Sequence, residues 1–291
     1  MTSSPLTAAQ RQSFEQDGFT HFPGFVPPPL LARLRELFDQ LLVPDAQTCK
    51  VITAAPSGPV VTNIDLLCHR GNLAALELLG YPPLLELARA LCGDDLFLIQ
   101  EFAVIKHGGD GVPVLWHKDM VHRRSGTCFT AGIYLDPSFA GDGALQVVPG
   151  SHHDPRDICA LMHEPHIELP MQGGDILIHD MMLAHASPPM HHGLLRRVIY
   201  FEFLSAAQVA AERIYPPEVV ARRTRLSHVA ARLYAERNPG KAAFAFPAPS
   251  PRPEDADRPI EQVLAEIYAE PISARPSSYC VNGTAIFAQF D

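Results

Sequence analysis

His117 and Asp119 stand two residues apart in Trp116-His117-Lys118-Asp119, and a further histidine, His185, sits in the later stretch GGDILIHDMMLAHAS. In an extended chain, residues i and i+2 point to the same side. The first two can therefore present an imidazole and a carboxylate to one cation. A third ligand from a remote strand would complete one face of an octahedron and leave the other face open, the arrangement of two-histidine, one-carboxylate non-haem Fe(II) oxygenases. Two of the open positions suit a chelating keto acid and the third suits dioxygen. After His185 comes Arg196-Arg197 at the start of a Val/Ile/Tyr/Phe run. A guanidinium there is suited to bidentate pairing with a distal carboxylate. His-x-Asp alone is a weak signal in a chain with 14 histidines; the order of the four residues gives it weight.

Positioning these residues requires strands. From about Leu96, short runs rich in Val, Ile, Phe and Tyr alternate with Gly, Pro and Asp clusters. We read strands near 96–106, 128–135, 144–148, 175–179 and 197–204, and evenly spaced short strands favour a sandwich or barrel. The preceding residues, 1–95, read as mainly helical support. Thr7 is placed to cap a helix carrying Phe14 and ending at Asp17-Gly18. Pro27 to Pro29 precede the helical stripe Leu30, Leu31, Leu34, Leu37, Phe38 and Leu41. A further helix follows Pro82-Pro83 and stops at Gly93. Beyond the core at 96–205, residues 206–270 read as a helical insert, starting at Pro216-Pro217 and ending at Asn238-Pro239-Gly240, followed by a proline-rich surface loop at 246–259. A short helix near Ile260–Ala269 and a strand-like segment within 271–291 close what reads as a single domain.

Composition narrows the classes. A net charge of -9 argues against nucleic acid as a partner, because phosphate contacts need a basic surface. Arg222, Arg223 and Arg225 read as the wet face of a helix. No apolar run approaches the roughly 18 residues that a membrane span needs, and the N-terminus lacks a basic region followed by an apolar one. The six cysteines include no close pair, which fits reduced thiols better than a disulfide framework or a zinc site. The expected setting is cytoplasmic, with a small-molecule substrate and the oligomeric state open.

The chain resembles the phytanoyl-CoA dioxygenase family through five features in family order: LTAAQRQSFEQDGF…PGF (6–25), W-H-x-D, GALQVVPGSHH (143–153), G-D-x3-H-x5-H-x-S, and the following Arg-Arg pair. The resemblance implies a mainly β fold with flanking α-helices, built on a double-stranded β-helix (jelly-roll, cupin-like) barrel. It implies His117, Asp119 and His185 as ligands of Fe(II), Arg196 as the partner of the 2-oxoglutarate 5-carboxylate, and Ser187 as a further contact of that co-substrate. Gln100 is a candidate for lining the pocket. The activity it implies is oxidation of a small molecule by Fe(II), 2-oxoglutarate and O2, with release of succinate and CO2. Related halogenating enzymes carry Gly or Ala where this chain has Asp119, so hydroxylation or desaturation is favoured over halogenation.

Each assignment has a rival. His179 competes with His185, and Arg197 with Arg196; the family register favours the second residue of each comparison. His152-His153 and His191-His192 read as solvated, and Trp116 as packing. The loop 120–125 carries Arg123 and Arg124, which could hold an anionic substrate group or simply be a solvated tip, and Val60 to Arg70 could reach the pocket. Two other readings stay open: a cupin-like metalloenzyme that does not use 2-oxoglutarate, and a non-catalytic small-ligand binding protein on the same fold.

Overall fold

The computed structural model describes residues 5–45, 49–120, 126–192, 195–270 and 277–288. In chain order the elements are α1 (Ala8–Asp17), β1 (Phe19–Phe22), α2 (Pro28–Leu41), β2 (Lys50–Ala55), β3 (Gly58–Asp65), α3 (Ala74–Leu79), α4 (Pro82–Cys92) and β4 (Leu96–His107). The middle of the chain supplies β5 (Val114–Lys118), β6 (Phe129–Tyr134), β7 (Leu145–Val147), α5 (Ile158–Leu161), β8 (Ile167–Leu169), β9 (Ile176–Asp180), β10 (His185–Ser187) and β11 (Leu195–Ser205). The last third adds α6 (Ala206–Glu212), α7 (Pro217–Arg237), α8 (Ile260–Ile267), β12 (Ser277–Val281) and β13 (Thr284–Ala288).

The strands form two antiparallel sheets. The larger has the order β1-β9-β6-β11-β4-β3-β2 and the smaller β13-β12-β5-β10-β7-β8. Alternation along the strands sorts their side chains. Ala103, Ile105, Ala131, Ile133, Ile178, Ile199 and Phe201 join Leu34, Leu37, Leu85 and Leu226 in the core under the helices. Tyr134, Leu177, Val198 and Tyr200 instead meet Leu145 and Val147 of the smaller sheet. The larger sheet thus has one face on helices and the other facing the second sheet. This is the expected jelly-roll class, with one difference: among the described residues the two sheets stay separate, and their edge strands do not hydrogen-bond into a closed barrel.

The helix ends follow the expected chemistry. Thr7 and Gln10 form a reciprocal capping box, and Gly18 closes α1 in the left-handed conformation at φ 86°. Proline opens α2, α4 and α7. The N-terminal third is less purely helical than expected, since it also holds β1, β2 and β3. β2 is an edge strand with mostly exposed or half-exposed residues, so its sequence lacks apolar alternation.

Two expectations are corrected. Arg223 and Arg225 are buried, not on a wet face: Arg223 pairs with Glu101 and donates to the Leu98 carbonyl at 3.0 Å, and Arg225 pairs with Asp255 at 2.7 Å. α7 lies against β4 on one side and α8 on the other, so both flanks of its basic stretch are covered. Asp255 in turn lies within the proline-rich segment, in a 3-10 turn over Pro253–Asp257, and docks an otherwise largely exposed loop. The cysteines are not all reduced. Cys159 of α5 and Cys280 of β12 form a disulfide, while Cys49, Cys68, Cys92 and Cys128 are buried thiols outside any disulfide. The partners are 121 residues apart in sequence, and only folding brings them together.

Candidate active site

β5 and β10 are neighbours, and their register sets His185 directly opposite His117. Asp119 follows β5 by one residue. The ligand atoms of His117, Asp119 and His185 all lie within 4.8 Å of one another. His117 Nε2 is 3.4 Å and His185 Nε2 is 3.5 Å from Asp119 Oδ1.

The protonation pattern shows what this arrangement suits. His117 Nδ1 donates to the Leu115 carbonyl at 2.7 Å, and His185 Nδ1 donates to the Leu183 carbonyl at 2.9 Å. A carbonyl only accepts, so each Nδ1 carries hydrogen and each ring turns its Nε2, the atom left for a metal, toward Asp119. Burial pushes the His185 pKa well down, with His117 adding to the effect, which keeps that ring neutral. Burial alone would raise the Asp119 carboxyl, but His185, His117 and His179 outweigh it and hold the group below the usual carboxylate range. Two lone pairs and a carboxylate converging on one point repel one another, and a divalent cation relieves that repulsion. The donor set fits Fe(II).

Neighbours fix the ligands. Thr130 Oγ1 of β6 donates to Asp119 Oδ2 at 2.8 Å. The Tyr279 ring of β12 stacks on His117, with 4.8 Å between centroids and 8° between planes. His179, the rival of His185, has its Nδ1 3.9 Å from Asp119 Oδ2 and is not part of the three-residue cluster.

A cavity runs from this cluster toward β11, lined by Phe102, Val104, Val114, Leu145, Ser187, Arg196 and Tyr200 as well as the triad and His179. Arg196 is 1% exposed; it donates to the Gly143 carbonyl and, at 3.2 Å, to Ser187 Oγ, while its buried Nε has no partner among the described residues. Lys106 lies directly across the sheet from Arg196 and donates to the Ser187 carbonyl at 2.7 Å. Burial, aided by Arg196, pulls its ammonium pKa down to about 6.

Arg196 and Ser187 are therefore together in the triad cavity. Gln100 is not among the residues lining it, although it is on the same face of β4 as Phe102 and Val104. No residue of 60–70 lines it either, and 121–125, with Arg123 and Arg124, lie outside the described residues. Trp116 packs against a cluster containing Val148, Ile158 and Ala184, as expected. His192 is exposed and bound to Asp142 at 2.9 Å. A larger cleft of about 670 Å³ is lined by Lys118, His152, His153, Arg156 and Asp180 and holds none of the triad. It lies on the opposite side of the chain at Lys118, whose neighbours His117 and Asp119 face inward.

The sequence reading missed Thr130, Tyr279, Tyr200 and Lys106. β11 offered a usable signal, because Arg196, Tyr200 and Glu202 recur at even spacing in an apolar strand. Nothing local marks Tyr279 or Thr130.

Ectoine dioxygenase of Halomonas elongata is 28% identical over 155 residues, covering 51% of this chain and 46% of that protein. L-proline trans-4-hydroxylase of Streptomyces griseoviridis is 26% identical over 157 residues, covering 52% of this chain and 57% of that protein. The chain spans about half the length of the curated relatives it matches. Among solved structures, AviO1 from Streptomyces viridochromogenes Tue57 superposes with a TM-score of 0.63 at 26% identity, covering 71% of this chain and 98% of that one. EctD from S. alaskensis, solved with 2-oxoglutarate and 5-hydroxyectoine, has a TM-score of 0.60 at 21% identity over 72% of this chain and 79% of that one, a likeness of fold. The model of the phytanoyl-CoA dioxygenase family matches residues 14–198, which take in β5, β10 and Arg196, and the chain belongs to that family.

Proposed function

We propose that this chain is an Fe(II)- and 2-oxoglutarate-dependent dioxygenase that hydroxylates a small-molecule metabolite, with succinate and CO2 as co-products. The observation that carries the reading is the convergence of His117, Asp119 and His185 on one point, with the Arg196 guanidinium in the same cavity. In this reading the three side chains hold Fe(II), which when bound supplies the activation of O2 for attack on a C–H bond.

The chain's own residues do the rest. Arg196 anchors the distal carboxylate of 2-oxoglutarate, and Ser187, already bonded to it, supplies a hydroxyl to the same group. Phe102, Val104, Leu145 and Tyr200 wall the cavity and exclude water. Asp119 fills the position that must be vacant for a halide to bind iron, which favours hydroxylation over halogenation.

A cytoplasmic setting remains part of the proposal. Among the described residues no helix is long and apolar enough to cross a membrane. Four buried thiols outside any disulfide support the setting, and the Cys159–Cys280 pair weighs against it.

The test is anaerobic addition of Fe(II) and 2-oxoglutarate, followed by succinate measurement in air. A visible band that needs both additions, and 2-oxoglutarate-dependent succinate formation, are expected. Succinate formation that survives Arg196→Ala at unchanged 2-oxoglutarate KM would favour a metalloenzyme that uses the triad without this anchor.

A further inference from the structure

A polar row crosses the otherwise apolar inner face of the larger sheet. Gln100 of β4 pairs in register with Glu202 of β11, Glu202 with Thr130 of β6, and Thr130 with His179 of β9. Cross-strand partners share a face. Their face is the inner one, since Thr130 bonds Asp119 and His179 lines the triad cavity.

Two members of this row have an evident task beside Asp119, but Gln100 and Glu202 do not. Glu202 is 8% exposed and has no hydrogen-bond or ion-pair partner among the described residues. Gln100 is likewise without one among the described residues. A buried carboxyl lacking a donor is costly unless something else supplies the donor.

Arg196 and Glu202 are six residues apart on one strand, roughly 20 Å at about 3.4 Å per residue. Thr130, directly opposite Glu202, bonds the metal-binding carboxylate. One end of β11 therefore carries the co-substrate anchor, and the other carries an unpartnered acceptor pair next to the metal cluster.

We infer that Gln100 and Glu202 form the recognition point for an ammonium group of the substrate, which places the substrate among organic amines. This rests on the dioxygenase reading above. An ammonium presents only donors; the Glu202 carboxylate and the Gln100 carbonyl oxygen present acceptors to match.

The test uses protein loaded anaerobically with Fe(II) and 2-oxoglutarate. L-proline, L-lysine and cyclohexylamine are each titrated against their N-acetyl derivatives, following the visible band and calorimetric binding. At least one amine is expected to bind tenfold or more tightly than its acetylated form, with the preference lost in Glu202→Gln. Equal binding of amines and amides, binding of none of the amines by the wild type, or a preference that persists in Glu202→Gln overturns the inference. The wild-type comparison stands even if the variant fails to fold. Absence of the Fe(II)/2-oxoglutarate band itself would instead remove the dioxygenase reading, so the two failures are told apart.

Discussion

Arg196 and Arg197 are adjacent on β11 and serve opposite sides of the sheet. Arg196 enters the triad cavity, whereas Arg197 makes a two-point pair with Asp136, at 2.8 Å from Nε and 2.8 Å from Nη2, and lies near the Phe38 ring on the helical side. Removing each should have a distinct effect. Arg196→Ala is expected to weaken 2-oxoglutarate binding about 30-fold or more, the loss of a charge-assisted pair worth about 2–3 kcal/mol. Arg197→Ala is expected to lower stability by about 1.5–3 kcal/mol, because it removes the two-point partner of a largely buried carboxylate, which keeps the backbone N–H of residue 197 and Arg35 at 4.0 Å. Titration of 2-oxoglutarate and urea unfolding of both variants check this; a swapped pattern would refute the assignment.

Thr130 holds Asp119 from the adjacent sheet. Thr130→Val keeps shape and removes the hydroxyl that donates at 2.8 Å. Fe(II) affinity is expected to fall about 10- to 100-fold, the usual consequence of losing a group that orients a metal ligand. Anaerobic competition with a chelator measures it, and wild-type affinity in the variant would show that Asp119 needs no such support.

Arg223 and Glu101 are both fully buried and join α7 to β4, with the Tyr268 hydroxyl also donating to Glu101. Arg223→Ala leaves a carboxylate in the core without its cation and is expected to cost about 3–5 kcal/mol. Replacing both members by apolar residues of similar size should restore much of the loss. Denaturant unfolding of the single and double variants decides the point.

The Cys159–Cys280 bond ties α5 to β12, whose Tyr279 stacks on His117. Denatured, unreduced protein is expected to show four reactive thiols, and six after reduction. Cys280→Ser is expected to lower stability by about 2–4 kcal/mol. Six thiols before reduction would exclude the bond in the purified protein.

Asp180 ends β9, and burial pushes its carboxyl pKa from 3.8 up to about 6. Between those values the folded chain keeps a proton that the unfolded chain has released. Its contribution is complete below about pH 3.8 and is lost as pH rises through about 6. Asp180→Asn keeps the acceptor for the Met182 N–H, 2.7 Å away. The variant is expected to gain about 2–3 kcal/mol over the wild type at pH 8 relative to pH 4. An equal difference at the two pH values, by urea unfolding, would sink this.

Local chemistry made several elements legible. Thr7, Gln10 and Gly18 specify the ends of α1 without tertiary help, and prolines mark the starts of α2, α4 and α7. Runs of Val, Ile, Phe and Tyr between Gly, Pro and Asp clusters made β4, β6, β9 and β11 visible, because both faces of these strands are largely buried. β2 escaped notice because an edge strand has no such face. Arg223 was misread for a related reason: an arginine looks solvent-bound until its carboxylate partner, 122 residues away, is known.

The sequence alone supplied the residues of the candidate site, His117, Asp119 and His185 in order with an arginine pair after them, and the features that place the chain in its family. Tertiary structure decided which of two adjacent arginines enters the cavity, that Thr130 and Tyr279 contact Asp119 and His117, that Cys159 meets Cys280, and that Gln100 pairs with Glu202 and is not among the residues lining the triad cavity. The physical reason is common to all four. Residue type and spacing set what a side chain can do and which face of its strand it takes, but a partner from another strand is fixed only by sheet register, which depends on contacts far apart in the chain.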